Sequence, residues 1–372
     1  MHFFAMFKVY RILHQFFTML NFEVLKFSFR ILRLMAFTLS SHLGIDLGTS
    51  NVVVYEKGKG IVYDAPSVIA VKVDESKRKT VVGLGEEAKK MLGKTPESVE
   101  ALCPIREGVI TDYESTELML KEIFKVILRT SLKFKPRVLI AVPYGVTEVE
   151  RKAVRDSAKS AGAWSVDLVL EPLAAAIGAG LPVGESIGTM VLSLGGGTTQ
   201  VAIISSGGVV YAKSIRLGGN NIDEAIVNHV RKKYSLYIAP TVAESAKVQL
   251  SSRRSDDCNP SIEVQGRDLI RGVPRTVRIT FEDITVAASE TLTAIYNLVK
   301  NALENVPPEL AADIVGNGFV LTGGGALFAG LDEVISKSLG IKAKKISNPR
   351  HCVALGLGFL LNSDSAFEGY FV

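Results

Sequence analysis

Cysteine and histidine are scarce in this chain of 372 residues, and their spacing argues against two kinds of site. Cys103, Cys258 and Cys352 lie far apart, with no C-x-x-C pair, and the five histidines form no H-E-x-x-H motif. Isolated residues of this kind argue against a disulfide framework and against a zinc site. We therefore expect a reduced, cytoplasmic protein.

An excess of charge of one sign is also missing from most of the chain. The 43 basic and 38 acidic residues give a net charge of +5, and residues 1–40 alone account for +4 of it. Binding to nucleic acid needs clustered Lys and Arg, so we expect no nucleic-acid partner. The hydrophobic share of 47% and the charged share of 22% are typical of a folded soluble domain.

The first forty residues differ from the rest because they hold nine of the 17 phenylalanines. Their longest uncharged stretch, Ile12–Phe22, is too short for a membrane-spanning helix. Two interpretations remain open. The segment 1–40 is either an interfacial membrane-binding extension, with aromatics in the lipid and Lys/Arg toward anionic headgroups, or a mis-called start, with translation beginning at Met35.

From Leu43 onward, strand-like runs alternate with helical patterns, which predicts an α/β fold. The uncharged segment Ser186–Ala212 is long enough to span a bilayer, but the glycine turns within it indicate buried strands instead. The other predicted elements are a hairpin of Leu43–Asp46 with Val52–Tyr55, strands at Pro136–Val142 and Val166–Leu170, a helix after a Thr147/Glu150 capping box, and a helix at Leu173–Gly180.

Three glycine-rich turns follow apolar strands, at Gly44–Asn51, Val191–Thr199 and Val320–Ala326. Glycine lets backbone N–H groups approach anionic oxygens, so each turn is a candidate phosphate cradle, although a single such turn is more often a tight hairpin. Asp46, at a strand end, could hold Mg²⁺ through water. We expect the third turn to open a helix that favours phosphate and has one apolar face, made of Leu327, Leu331, Val334 and Ile335.

The first two turns share one skeleton, with Asp46 and Ser193 at matching positions 147 residues apart. This repeat predicts a duplicated α/β core with a nucleotide between its halves. The chain has no G-x-x-x-x-G-K-[ST] motif, which excludes a P-loop, and no G-x-G-x-x-G between a strand and a helix, which argues against a dinucleotide fold.

The three turns, in this order, resemble those of the actin/Hsp70/sugar-kinase ATPase superfamily. From about Leu43 to about Leu361 the chain is similar to the MreB family of bacterial actin homologues. The resemblance implies an actin-like α/β fold of two duplicated halves around a nucleotide cleft, each with a smaller subdomain. The motifs that carry it are GIDLGTSN, APSVIAV, VGLGEEAKKMLGKTPESVEAL, REGVITDYE, EPLAAAIGAGLPV, GGGTTQVAIIS, TVAESAK, PPELAADI and LTGGGAL.

The resemblance also suggests where the subdomains begin and end. The first large subdomain would contain residues 41–71, 113–184 and 345–372, and the first small subdomain residues 72–112. The second large subdomain would contain residues 185–220 and 282–344, and the second small one residues 221–281.

Residue roles follow from matching these motifs one position at a time. Glu171 would position the attacking water, with Thr198 as its catalytic companion, and Asp46 would face the metal. Glu244 and Lys247 would contact the ribose and base. The remaining nucleotide-binding residues would be Gly48, Thr49, Ser50 and Asn51 in the first turn, Gly195, Gly196, Gly197 and Thr198 in the second, and Gly323, Gly324, Gly325 and Ala326 in the third.

The same resemblance implies ATP and Mg²⁺ as cofactors and self-assembly into filaments on the inner face of the cell membrane. Such filaments would direct cell-wall synthesis and rod shape, with MreC, MreD and RodZ as partners. The chain would then be cytoplasmic and peripheral to that membrane.

Four acidic positions of the family pattern are neutral here, namely Leu170, Ser193, Gln200 and Asn220. A hydroxyl at Ser193 holds a divalent ion far less well than a carboxylate. We therefore expect nucleotide binding with slow hydrolysis. Two alternatives stay open: a nucleotide-binding scaffold with weak or lost ATPase activity, and an ATP-dependent enzyme or chaperone on the same fold.

Overall fold

The computed structural model describes residues 40–128, 135–253 and 259–363. All but the last residue of the aromatic extension 1–40 lies outside these ranges, so both interpretations of the extension stay predictions. Among the helices described, none is long and apolar enough to cross a bilayer.

Strands are numbered along the chain. They are β1 (His42–Leu47), β2 (Asn51–Glu56), β3 (Gly60–Pro66), β4 (Ile69–Val73), β5 (Lys79–Leu84), β6 (Val99–Leu102), β7 (Ile105–Arg106), β8 (Val109–Ile110), β9 (Arg137–Val142), β10 (Ser165–Leu170), β11 (Thr189–Leu194), β12 (Thr199–Ser205), β13 (Gly208–Ile215), β14 (Leu236–Tyr237), β15 (Ser261–Asp268), β16 (Pro274–Thr280), β17 (Phe319–Thr322) and β18 (Ala343–Lys345).

Helices are numbered in the same way. They are α1 (Glu86–Met91), α2 (Tyr113–Ile127), α3 (Glu148–Ala161), α4 (Glu171–Gly178), α5 (Gly219–Tyr234), α6 (Pro240–Arg253), α7 (Phe281–Glu304), α8 (Pro308–Asn317), α9 (Leu331–Leu339) and α10 (Cys352–Asn362).

Two five-stranded sheets of identical topology form the two halves of the molecule. Their orders are β10-β9-β1-β2-β3 and β13-β12-β11-β17-β18. In each sheet the central strand, β1 or β11, pairs antiparallel with the next strand of the chain and parallel with a later strand. The predicted duplicated α/β core is confirmed. We call the part built on the first sheet the first half and the part built on the second sheet the second half.

Each half also carries a three-stranded sheet, β5-β4-β6 in the first and β14-β15-β16 in the second. Helix α1 packs on the first small sheet, and α6 packs on β15 of the second. The subdomain boundaries given above stay predictions.

Several elements expected from local patterns are confirmed. The hairpin is β1–β2, and the two further strands are β9 and β10. The uncharged segment Ser186–Ala212 forms β11, β12 and much of β13, so it is no membrane helix. The capping box is formed in both directions, because Thr147 Oγ1 accepts from Glu150 N and the Glu150 carboxylate accepts from Thr147 N.

Helices α4 and α10 pack closely against each other where the two halves meet. A Cβ added at Gly178 would overlap the carbonyl oxygen of Cys352, and one at Gly356 would overlap that of Ala174. Helix α4 begins at Glu171, two residues earlier than predicted, because a proline is tolerated in the first turn, where its missing N–H has no helical partner. Glu171 therefore stands at a helix N-terminus between the two halves.

The expectation for the third glycine turn was wrong. No α-helix starts there, because Gly324–Leu327 form a short 3-10 helix and α9 begins only at Leu331, after Gly330 with φ at 74°. Leu331 and Ile335 are buried, as expected, but Leu327 and Val334 are 46% and 57% exposed. The break at the left-handed glycine moves Leu327 out of the helical face, and the argument from a helix dipole does not apply to this turn.

Candidate nucleotide site

The first and second glycine turns touch each other at the junction of the halves. The first turn joins β1 to β2 and the second joins β11 to β12. A Cβ at Gly196 would overlap Ser50 Oγ, and one at Gly197 would lie 2.7 Å from Thr49 Oγ1 and 2.9 Å from the Glu107 backbone. Glycine is required at both positions for this approach.

Polar contacts fix the first turn in place. Gly108 N donates to Thr49 Oγ1 at 3.0 Å, and Ser50 Oγ donates to Asn220 Oδ1 in α5 at 3.1 Å. The first turn is thus anchored to the second half through Ser50. Gly48 also needs to be glycine, since a Cβ there would lie 2.7 Å from the Asn51 carbonyl oxygen.

The start of α5 lies against the second turn. Gly219 N donates to the Gly195 carbonyl at 3.0 Å and Asn220 N to the Gly196 carbonyl at 2.8 Å, while Gly195 N donates to the Thr198 carbonyl. The positive end of a 16-residue helix therefore stands beside the glycine turns. Because its first two amides already donate to the second turn, this helix end favours an anionic ligand through its dipole and not through free N–H groups.

The third turn packs on the end of β11. A Cβ at Gly323 would overlap the carbonyl oxygen of Leu194, and one at Gly325 would lie 2.8 Å from Leu194 Cβ. This places the third turn next to the second, which begins at Gly195. Gly324 is exposed, whereas the Ala326 side chain is 1% exposed and so contributes packing instead of a ligand-facing surface.

Glu244 and Lys247 lie one turn apart on α6, and both are engaged in ion pairs. Lys247 Nζ lies 2.8 Å from Asp223 Oδ1 and also donates to the Gly219 carbonyl at 2.8 Å. Burial raises the pKa of Asp223 to about 6, against the opposing effect of Lys247. Glu244 Oε2 lies 2.7 Å from Lys89 Nζ in α1. Lys89 carried no signal in the sequence that marks it as part of the site.

Asp46 and Ser193 hold equivalent places, each as the next-to-last residue of the central strand of its sheet. Burial and the carboxylates of Glu171 and Asp64 raise the pKa of Asp46 well above its usual value. An incoming cation would relieve this repulsion, so Asp46 suits a place near Mg²⁺. Within the three described ranges, no cluster of three His, Cys, Asp or Glu side chains is placed to hold a metal ion.

Glu171 receives one hydrogen bond on each carboxylate oxygen. Ser193 Oγ donates to Oε1 at 3.1 Å and Gln200 Nε2 donates to Oε2 at 2.6 Å. Burial raises the pKa of Glu171, and these two hydrogen bonds oppose that shift. Both donors are among the positions that depart from the family pattern, which the sequence revealed, but their contact with Glu171 was not predicted.

Thr198 ends the second turn and is 7% exposed. A cavity of about 280 Å³ lies beside it, lined also by Glu107, Pro143, Tyr144 and Arg216. This cavity is partly open to solvent and meets the site at Thr198, but neither Glu171 nor Asp46 lines it.

Asn51 is turned toward β3, where its Nδ2 donates to Asp64 Oδ1 at 3.0 Å. Asp64 also contacts His351 Nε2 at 3.0 Å and Arg350 at 3.6 Å, in the segment between β18 and α10. Although burial raises the pKa of Asp64, the hydrogen bonds from His351 and Asn51 and the charge of Arg350 outweigh it, so the pKa is lowered. No sequence motif singled out Arg350 or His351.

Comparison with known proteins agrees with this architecture. A model of the MreB/Mbl protein family matches residues 40–368. The cell shape-determining protein MreB of Escherichia coli (strain K12) is 48% identical over 321 residues, covering 86% of this chain and 92% of that protein. The cell shape-determining protein Mbl of Bacillus subtilis (strain 168) is 40% identical, covering 86% and 96%.

Solved structures share the fold. MreB 5 of Spiroplasma citri bound to AMPPNP superposes with a TM-score of 0.80 at 36% identity, covering 86% of this chain and 96% of that one. A subunit of the MamK double helical filament superposes with a TM-score of 0.72 at 20% identity, covering 87% and 99%, a likeness that concerns the fold alone. The fold of the present chain is thus actin-like, as expected.

Proposed function

The chain belongs to the MreB/Mbl family of actin-like cytoskeletal proteins, and on that premise we propose that it binds ATP between its halves and polymerises into filaments. The observation that carries the nucleotide proposal is the contact between the two glycine turns at Gly196 and Ser50. It brings two candidate phosphate cradles from separate halves to one point, beside the N-terminus of α5.

Residue roles in this proposal follow the geometry. The backbone amides of the first and second turns would hold the phosphates, and the third turn would contact the adenosine. Glu171 would orient a water for in-line attack, with Thr198 beside it. The structure of the Spiroplasma citri relative bound to AMPPNP supports nucleotide binding by this chain.

A bound Mg²⁺ would supply positive charge to the phosphates. Asp46 is the residue placed to hold it through water, and the Ser193 hydroxyl would hydrogen-bond such a water. Because Ser193 supplies no negative charge, we expect weaker retention of the ion and slow ATP hydrolysis. The same observation favours a second candidate, a nucleotide-binding filament scaffold with weak or lost ATPase activity.

Filament formation would serve cell-wall synthesis and rod shape at the inner face of the cell membrane, since the relatives are named as cell shape-determining proteins. MreC, MreD and RodZ would be the partners. The near-neutral body, with +4 of the +5 charge in residues 1–40, fits subunits that stack on copies of themselves, because strong self-repulsion would oppose assembly.

Nucleotide binding is tested by Gly197→Ala, with Gly184→Ala as the matched control. The new Cβ at 197 would meet the Glu107 backbone and Thr49, whereas the one at 184 would meet nothing within 4 Å. We expect the affinity for a fluorescent ATP analogue to fall at least about tenfold in the first variant and to stay unchanged in the second, with both folded by circular dichroism. Equal affinities would contradict the proposed cleft.

Membrane contact is tested by co-sedimentation with anionic vesicles. The full chain should pellet with the vesicles more than a version that starts at Met35, because the extension carries the Phe and Lys/Arg residues. Equal pelleting would exclude a role for the extension.

A further inference from the structure

Gln200 is a buried amide, 0% exposed, whose two ends both contact the other half of the molecule. Its Nε2 donates to Glu171 Oε2 at 2.6 Å, and its Oε1 accepts from Tyr144 N at 2.8 Å. Tyr144 follows β9 and Glu171 follows β10, so both partners belong to the first half, whereas Gln200 belongs to β12 in the second. We propose that Gln200, together with Ser193, is a positioning residue that orients Glu171 for ATP hydrolysis; this inference rests on the proposed function.

The sheet register explains why two residues can act on one carboxylate. Ser193 and Gln200 are direct partners across the antiparallel pair β11–β12, so their side chains lie on the same face. One supplies a donor to Oε1 and the other a donor to Oε2 of Glu171. Two donors on two oxygens fix the plane of the carboxylate, and each oxygen keeps a second lone pair with which to accept from a water.

The chemistry of position 200 requires an amide. A glutamine side chain donates and accepts at the same time, so it can bond Glu171 and the Tyr144 N–H together. A glutamate there could accept from Tyr144 N but could not donate to ionised Glu171, and a leucine could do neither. The neutral residue at 200, which departs from the family pattern, therefore allows one side chain to bond both Glu171 and the Tyr144 N–H.

The arrangement also ties the orientation of Glu171 to the relative position of the halves. Both donors come from the second half and the carboxylate from the first. Glu171 is held in this orientation only while the two halves keep the arrangement seen here. Gln200 thus couples the relative position of the halves to the orientation of the Glu171 carboxylate.

The test compares Gln200→Glu with Gln265→Glu, which makes the same change at an exposed position of β15. Phosphate release by the full chain is measured against ATP concentration with Mg²⁺. We expect kcat to fall at least about tenfold in Q200E, with KM changed less than about twofold, and both constants to be unaltered in Q265E. Ser193→Ala, which removes the other donor, should lower kcat in the same direction by a smaller factor.

A role of Gln200 in stability alone is distinguished from a role in positioning Glu171 by combining Gln200→Glu and Ser193→Ala each with Glu171→Gln. If Gln200 acts through Glu171, Q200E adds no further loss of kcat to E171Q. An equal fractional loss in both backgrounds, or a Q200E protein as fast as the unaltered chain, would overturn the proposal.

Failure of the proposed function gives a different result. An unaltered chain that neither binds the fluorescent ATP analogue nor pellets as polymer would refute the ATP-binding filament itself. Binding and pelleting without any phosphate release above a protein-free control would leave the filament intact and overturn the role of Gln200. Thermal unfolding of each variant shows whether a lower rate of phosphate release is caused by unfolding of the protein.

Discussion

Lys89 and Glu244 form an ion pair, with 2.7 Å between Nζ and Oε2, although they lie 155 residues apart. Lys89 comes from α1 on the small sheet of the first half, and Glu244 from α6 on the small sheet of the second. The pair therefore joins the two halves beside Lys247 and the start of α5, where the adenosine end of a nucleotide is expected.

Removing this ion pair should speed nucleotide release. In Lys89→Gln we expect the dissociation rate of a fluorescent ATP analogue to rise about twofold to fivefold, because a part-exposed ion pair contributes up to about 1 kcal/mol. Lys89→Arg keeps the charge and serves as the control. The difference between the two variants should shrink at high salt. An unchanged rate in K89Q at low salt would show that the pair does not restrain the cleft.

Restoring an acid at position 193 should strengthen Mg²⁺ binding. With Ser193→Asp, a second carboxylate occupies the position in β11 that Asp46 occupies in β1. We expect the Mg²⁺ concentration that gives half-maximal ATP binding to fall about tenfold, because carboxylates are the preferred ligands of this ion. Ser193→Asn, of similar size but neutral, is the control. If both variants need the same Mg²⁺ concentration, residue 193 does not face the ion.

The raised pKa of Asp223 predicts that the unfolding free energy decreases as the pH rises. Its pKa is raised from 3.8 to about 6 by burial, so between these values the folded chain binds more protons than the unfolded chain. Stability contributed at this site is greatest below about pH 4 and is lost as the pH rises through 6. Relative to Asp223→Asn, the unfolding free energy of the unaltered chain should decrease by up to about 3 kcal/mol from pH 4 to pH 7.

The measurement is urea unfolding of both proteins across that pH range. If the unfolding free energies of the unaltered chain and of Asp223→Asn change in parallel with pH, the pKa of Asp223 is not raised. The ion pair with Lys247 lowers the pKa of Asp223, but burial has the larger effect, so the sign is not reversed.

Helix α10 should tolerate no side chain where it crosses α4. In Gly356→Ala the new methyl group overlaps the Ala174 carbonyl oxygen, and we expect the unfolding free energy to fall by about 1–3 kcal/mol. Gly316→Ala in α8, where a Cβ meets nothing within 4 Å, should leave stability equal or higher, since alanine is the better helix former. Equal stabilities of the two variants would argue against close contact of α4 with α10.

Local patterns were enough to predict the β1–β2 hairpin, β9, β10 and the buried strands of Ser186–Ala212, and the repeated turns were enough to predict the duplicated core. The glycine turn between β1 and β2, the capping box of Thr147 and each separate glycine turn depend on residues near each other in the chain. The prediction of a helix opening at the third turn was wrong because Gly330 adopts a left-handed conformation that breaks the helical pattern. Periodicity does not reveal the conformation of a single glycine.

The contacts that define the site were beyond prediction for a related reason. Lys89 with Glu244, His351 with Asp64 and Gln200 with Glu171 each depend on how the two halves, or distant segments, come together. The sequence marked Gln200 and Ser193 as departures, but only their place opposite one another on β11 and β12 reveals a shared partner.

We expect this chain to assemble when nucleotide occupies the cleft between its halves. The most direct measurement is sedimentation of the full chain with ATP and Mg²⁺, with ADP and Mg²⁺, and without nucleotide, with bound nucleotide quantified in each pellet. We expect more polymer with ATP than without nucleotide, and about one nucleotide per chain in the pellet. An absence of sedimentable polymer under all three conditions would contradict this expectation.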